Sequence, residues 1–154
     1  MRTSHGGFDA AQYEVRLLDH AAAKRYVQTH HYSQSFPAAR WCYGLYLLHD
    51  PDPLVGVAVF SVPTSSRVIT NVFPELDVRS AVELGRLVLE GPPAGVGQTQ
   101  RAPANAETWF VARCVRDLAY QGISGLIAFA DPVPRRRSDG SLLKPGHTGV
   151  VYQA

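Results

Sequence analysis

The chain has 154 residues, 45% of them hydrophobic and 18% charged, with a formal net charge of +2. That length and composition suit one compact domain, residues 1–154, which buries about two-thirds of its unfolded surface. No apolar run is long enough to span a bilayer, so no membrane is expected as a partner, and a charge this small does not by itself mark a polyanion binder. The opening MRTSHGGFDAAQYEV lacks an apolar core followed by a small-residue cleavage site, so a cytoplasmic location is expected.

The first element is YEVRLLD, where Tyr13, Val15 and Leu17 alternate with polar partners as in a half-buried strand. Asp19 then offers an N-cap to HAAAKRYVQTHH, whose Ala and Lys residues favour helix. YSQSFPAAR is rich in Ser and Pro without a period and reads as a loop over the rim of the domain. WCYGLYLLHD and LVGVAVFSV are apolar runs separated by Asp50-Pro51-Asp52-Pro53, which predicts an antiparallel hairpin. Gly44 and Gly56 inside these runs suggest bulges or close backbone approach. The following VPTSSRVITNVFPELDVRS has only short apolar pieces and two prolines, after which VELGRLVLE resumes a strand pattern as the fourth strand.

GPPAGVGQTQRAPA reads as a loop and NAETWFVARCVRDLAYQG as the strongest helix. Asn105 is its expected N-cap, Glu107 complements the dipole, and Gly122 supplies the stop. Phe110, Val111, Cys114, Val115, Leu118 and Ala119 form its apolar face. ISGLIAFAD is a nearly uninterrupted apolar run suited to the middle of a sheet, with Asp131 at its carboxyl end. Arg135, Arg136, Arg137 and Lys144 lie in a segment broken by Pro132, Pro134, Gly140 and Pro145, expected as a mobile basic loop that is either a solvated linker or a phosphate contact. Cys42 and Cys114 are far apart without a CxxC spacing and read as small buried apolar residues.

The resulting order predicts an α+β fold, a mixed central sheet flanked by helices. The same order is that of the GNAT fold of acetyl-CoA-dependent N-acyltransferases. HHYSQSFP, ELGRLVLE, APANAETWF and GHTGVVYQA together resemble the Mom family, phage DNA-modification proteins with a GNAT-like fold. The likeness runs from about His30 to Ala154. It implies an enzyme that acts on double-stranded DNA and adds a carbamoylmethyl (acetamido) group to the N6 amine of adenine, which protects the DNA from restriction. Acetyl-CoA is the implied cofactor.

Residue by residue, Arg86 matches the family's strand arginine as a cofactor-binding residue, and its plain alternative is a structural pair with Glu83 or Glu90. Asn105 and Thr108 are the other cofactor-binding candidates; Thr108 matches a Ser or Thr in the first turn of the long helix, where free amides favour a CoA pyrophosphate or a DNA phosphate, and the plain alternative is that the two only cap the helix. Asp131 is a candidate for ligand chemistry at a strand end, or an Asp-Pro turn starter. Tyr152, with His147 before it, matches GHxGxxYQA and would donate a proton to a leaving thiolate or orient the adenine, or only pack. His31 and Tyr32 match an early HY pair, with His31 a general base, an iron ligand, or an ordinary surface or core histidine. No metal-ligand spacing stands out. Tyr32, Phe36 and Trp41 would stack on a base flipped from the duplex, with Arg135, Arg136, Arg137 and Lys144 on the backbone.

The usual GNAT pyrophosphate signature at the helix start is absent, since Gly95-Val96-Gly97 stands well before Asn105 with Arg101 and Pro103 between them. After GVVYQA the family continues into further strand, and here the C-terminal strands are expected to be missing. The exposed sheet edge that follows from this would suit a homodimer. A small-molecule or protein N-acetyltransferase, favoured by the modest charge, and a degenerate binding module without turnover stand beside the DNA-modifying reading.

Overall fold

The computed structural model describes residues 8–30, 35–90, 101–103 and 105–129, and the backbone path of 135–136 and 142–144. Five strands, β1 (Tyr13–Leu17), β2 (Ala39–Leu47), β3 (Leu54–Ser61), β4 (Ala81–Leu89) and β5 (Gly125–Ile127), form one mixed sheet in that spatial order. Three α-helices accompany it, α1 (His20–His30), α2 (Ser66–Val72) and α3 (Ala106–Tyr120). The first four strands pair antiparallel, and β5 returns parallel to β4 after α3. The fold is therefore α+β, and this order is compatible with a GNAT-like arrangement.

Sequence neighbours in the strands serve opposite faces. Cys42, Val57 and Val59 pack with Ala23, Tyr26 and Val27 of α1, while Tyr43, Ala58 and Phe60 pack with Ala106, Phe110, Cys114 and Leu118 of α3. Burial on both sides is why β3 reads as a continuous apolar run rather than an alternating one. Phe60, Phe110 and Leu45 are fully buried, and each contributes about 1.5–3 kcal/mol by leaving water. Both cysteines are buried as expected, and burial pushes the Cys42 thiol up to about 11, so neither is a poised nucleophile.

Asp19 starts α1 as expected, its carboxylate accepting from the amide of Ala22 at 3.1 Å. Gly122 stops α3 with φ +93°, and the amides of Ile123 and Gly122 close on the carbonyls of Leu118 and Ala119. This is the pair of bonds that a residue in the left-handed region makes possible at a helix end.

Three elements differ from expectation. Residues 66–72 form α2, capped by the Ser65 hydroxyl, yet only Ile69 of that helix is buried, so no apolar period announced it. The last sheet strand is confined to Gly125–Ile127, because Ala128 and Phe129 have already left the ladder. The expected mobile basic loop contains a ladder, β6 (Arg135–Arg136) antiparallel to β7 (Leu142–Lys144). Asp139-Gly140 between the two arms is a hairpin signal, outweighed in the sequence by the flanking prolines. GVVYQA, after which the C-terminal strands are expected to be missing, lies outside the described residues.

Candidate functional site

The last two strands of the sheet, β4 and β5, pair over only three positions, Ala81 to Glu83 with Gly125 to Ile127. From Leu84 onward the same edge of β4 has no strand beside it among the described residues. A bulge sits in this open stretch. Phe60 pairs with Leu84 and Val59 with Arg86, which leaves Gly85 as the extra residue. A Cβ at Gly85 would stand 3.0 Å from Pro37 Cγ and run into the Ser61 hydroxyl, so glycine is required by close approach. Bulges re-aim the side chain that follows, and here that side chain is Arg86.

Arg86 donates through Nη1 to the carbonyl of Gly85 at 2.6 Å and through Nη2 to the Ser35 hydroxyl. Its Nε is buried with no hydrogen-bond partner. Neither carboxylate considered from sequence pairs with it. Glu90 is engaged by Arg101 at 3.2 Å, and Glu83 forms no ion pair with Arg86 among the described residues. Among the described residues the guanidinium is held by neutral acceptors, with its Nε–H left over, and the structural pair with Glu83 or Glu90 is not formed.

Glu83 lies on the same strand, and burial raises its carboxyl above the ordinary 4.5 while the Arg86 charge partly opposes the shift. An acid whose folded pKa is raised stabilises the fold while protonated and ceases to do so as pH rises through the folded value. Glu83→Gln should therefore remove that loss. Its denaturation midpoint should exceed that of the unsubstituted protein at neutral pH and converge with it below pH 4.5. A difference that stays constant across pH would count against a raised carboxyl.

Asn105 occupies the N-cap position of α3 but has helical φ and ψ (−73°, −11°) and makes no side-chain cap bond. Capping by Asn105, one of the two sequence alternatives, is thus not realised. Helix entry rests instead on the Ala106 amide donating to the Pro103 carbonyl at 2.8 Å. Thr108 lies half-buried in the first turn. Phe36 packs against the α1 core and Trp41 against the α3 core, with the Arg40 guanidinium 4.5 Å over the Trp41 ring.

His31, Tyr32, Asp131, Arg137, His147 and Tyr152 lie outside the described residues. For Arg135, Arg136 and Lys144 the backbone alone is described, and it sets Arg135 in register with Lys144. Among the described residues no group of three or more His, Cys, Asp or Glu could hold a metal ion, and no helix is long and apolar enough to cross a membrane. Sequence reasoning missed Gly85 and Ser35, and it weighed Glu83 only as an ion-pair partner of Arg86. The first had a signal, since a glycine inside a strand pattern marks a bulge or a close approach.

Residues 12–154 match the model of the Mom protein family. None of the curated proteins matches the chain.

Proposed function

The chain belongs to the Mom protein family, and we propose that it is a transferase that adds a carbamoylmethyl group to the N6 amine of adenine in phage DNA, shielding that DNA from restriction. Family membership supports DNA modification, and the observation that carries the site is Arg86. It is a half-buried cation with no carboxylate partner among the described residues, re-aimed by the Gly85 bulge beside the length of β4 that no described strand pairs.

The residues present fit an acyl-CoA. Arg86 offers charge to an anionic group, the amides in the first turn of α3 near Thr108 favour phosphate, and an extended arm with amide groups can add along the edge of β4 that no described strand occupies. Acetyl-CoA would supply only the two carbons, since transfer of its acetyl group to N6 would give an N6-acetyl amide. The carbamoylmethyl product, with N6 on the methyl carbon and an amide nitrogen on the carbonyl, also takes an ammonia-level nitrogen donor and a two-electron oxidant, with the CoA thiol as leaving group. The adenine amine is reached by flipping the base from the duplex. His31 and Asp131 are the proposed groups for accepting its proton and positioning it, Tyr32 for stacking, and Tyr152 for returning a proton to the leaving thiolate. Arg135, Arg136, Arg137 and Lys144 are the proposed contacts to the DNA backbone. The backbone register that sets Arg135 opposite Lys144 gathers two of these basic positions on one ladder, which supports this.

The net charge of +2 favours a second reading, an N-acetyltransferase for a small-molecule or protein amine. Nucleosides from plasmid DNA of cells expressing the chain, analysed by mass spectrometry beside an Asp131→Ala control, separate the two. A modified deoxyadenosine present only with the unsubstituted protein is the expected result. Ordinary deoxyadenosine from cells holding folded protein would transfer the weight to the second reading.

A further inference from the structure

The face of the sheet opposite Arg86 carries a groove of about 490 Å³ between β1 and α3, lined among others by Leu17, Tyr43, Trp109, Arg113, Arg116 and Tyr120. Trp109, Arg113, Arg116 and Tyr120 recur at spacings of four, three and four along α3, which puts them on one stripe of the helix. Tyr120 is 85% exposed. The Arg113 guanidinium lies 5.0 Å over the Trp109 ring, and Trp109 is steadied on another side by Phe8 at 5.2 Å.

The charges resolve in one direction. Glu14 is neutralised by Arg16 at 3.0 Å, and Asp117 accepts from the Tyr43 hydroxyl at 2.5 Å, closing the floor. Arg113 and Arg116 form no ion pair among the described residues, and with Glu14 balanced by Arg16 their two charges exceed the single charge that the Asp117 carboxylate keeps, so the groove is net cationic. Alternating rings and guanidinium groups beside an unspent positive charge match one ligand class, a flat heteroaromatic ring that carries a phosphate. The volume is also in the range of small-ligand sites.

We propose that this groove binds a nucleotide, with the base against Trp109, Arg113 and Tyr120 and the phosphate on Arg113 and Arg116. The occupant is an unpaired nucleotide of a DNA strand or a free nucleoside phosphate, which share this chemistry. The DNA-strand source rests on the DNA-modifying reading; the site itself does not.

Trp41 and Trp109 are the two indoles of the chain, so a Trp41→Phe background makes Trp109 a local reporter. Its fluorescence is titrated with a single-stranded oligonucleotide of about 12 residues and, separately, with deoxyadenosine monophosphate. Saturable quenching by the oligonucleotide is expected, weakening as salt rises, with affinity reduced about tenfold or more in Arg113→Ala/Arg116→Ala and in Tyr120→Ala. Tight saturation by the mononucleotide alone, lost in the same variants, also establishes the site and names the free nucleotide as occupant. Quenching by neither probe, or quenching that survives the substitutions, overturns the proposal. Binding here in a chain that leaves DNA unmodified would retire the proposed function and keep this site.

Discussion

Replacing Arg86 with alanine is expected to cut the yield of modified deoxyadenosine by on the order of 10²–10³, the cost of removing one preorganised donor from a reacting centre. The fold should hardly notice. Among the described residues Arg86 has no carboxylate partner, and its Nε is buried and unsatisfied, so its removal relieves a desolvated charge rather than breaking an ion pair. Denaturation midpoints should therefore stay level or rise. A structural pair with Glu83 or Glu90 would behave in the opposite way, losing stability together with activity. Arg86→Lys should recover only part of the yield, because an ammonium keeps the charge but not the planar fork that bonds Gly85 and Ser35 together. Nucleoside mass spectrometry beside urea unfolding reads both quantities from one preparation. An Arg86→Ala protein that retains modification, or one that unfolds early, would remove Arg86 from the site.

Elements that bury one regular stripe or one regular run were legible in the sequence. The Asp19 cap, the hairpin of β2 and β3, the length of α3 and its Gly122 stop all follow from local chemistry and recover the sheet order up to β4. Helix α2 was not legible, because its single buried residue, Ile69, leaves no period to read. The short β5 was overestimated because an apolar run continues through Phe129, which is 60% exposed after the ladder has ended. The site divides along the same line. Arg86 was visible as a lone cation in an apolar strand, but its partners were not. Ser35 meets it from a loop 51 residues earlier in the chain, and Glu90 is withdrawn by an arginine that sequence spacing treated only as an interruption before α3.

That arginine, Arg101, should be the residue whose loss costs the fold most among the charged side chains. It reaches Asp50 at 3.5 Å, Asp52 at 3.8 Å and Glu90 at 3.2 Å, and donates to the Asp52 carbonyl. Its own carbonyl accepts from the Tyr13 hydroxyl at 2.6 Å. The side chain thus ties the β2–β3 turn and the end of β4, and the backbone carbonyl the start of β1, to the segment that enters α3. Removing it leaves three carboxylates facing one another, two of them with side chains under a third exposed. Breaking a fully buried pair costs about 3–5 kcal/mol, and with Arg101 itself 28% exposed solvent reduces this to about 2–3 kcal/mol for Arg101→Ala. Urea unfolding should show the loss as a lower midpoint at an unchanged slope. Adding Glu90→Gln should restore about 1 kcal/mol, since part of the penalty is repulsion among the abandoned acids rather than lost attraction. A midpoint that Arg101→Ala leaves unmoved would mean the cluster is held by water and turn geometry alone. The entry of α3, and with it the position of Thr108, would then be fixed by the Tyr13 bond and the packing of Ala102 and Ala106.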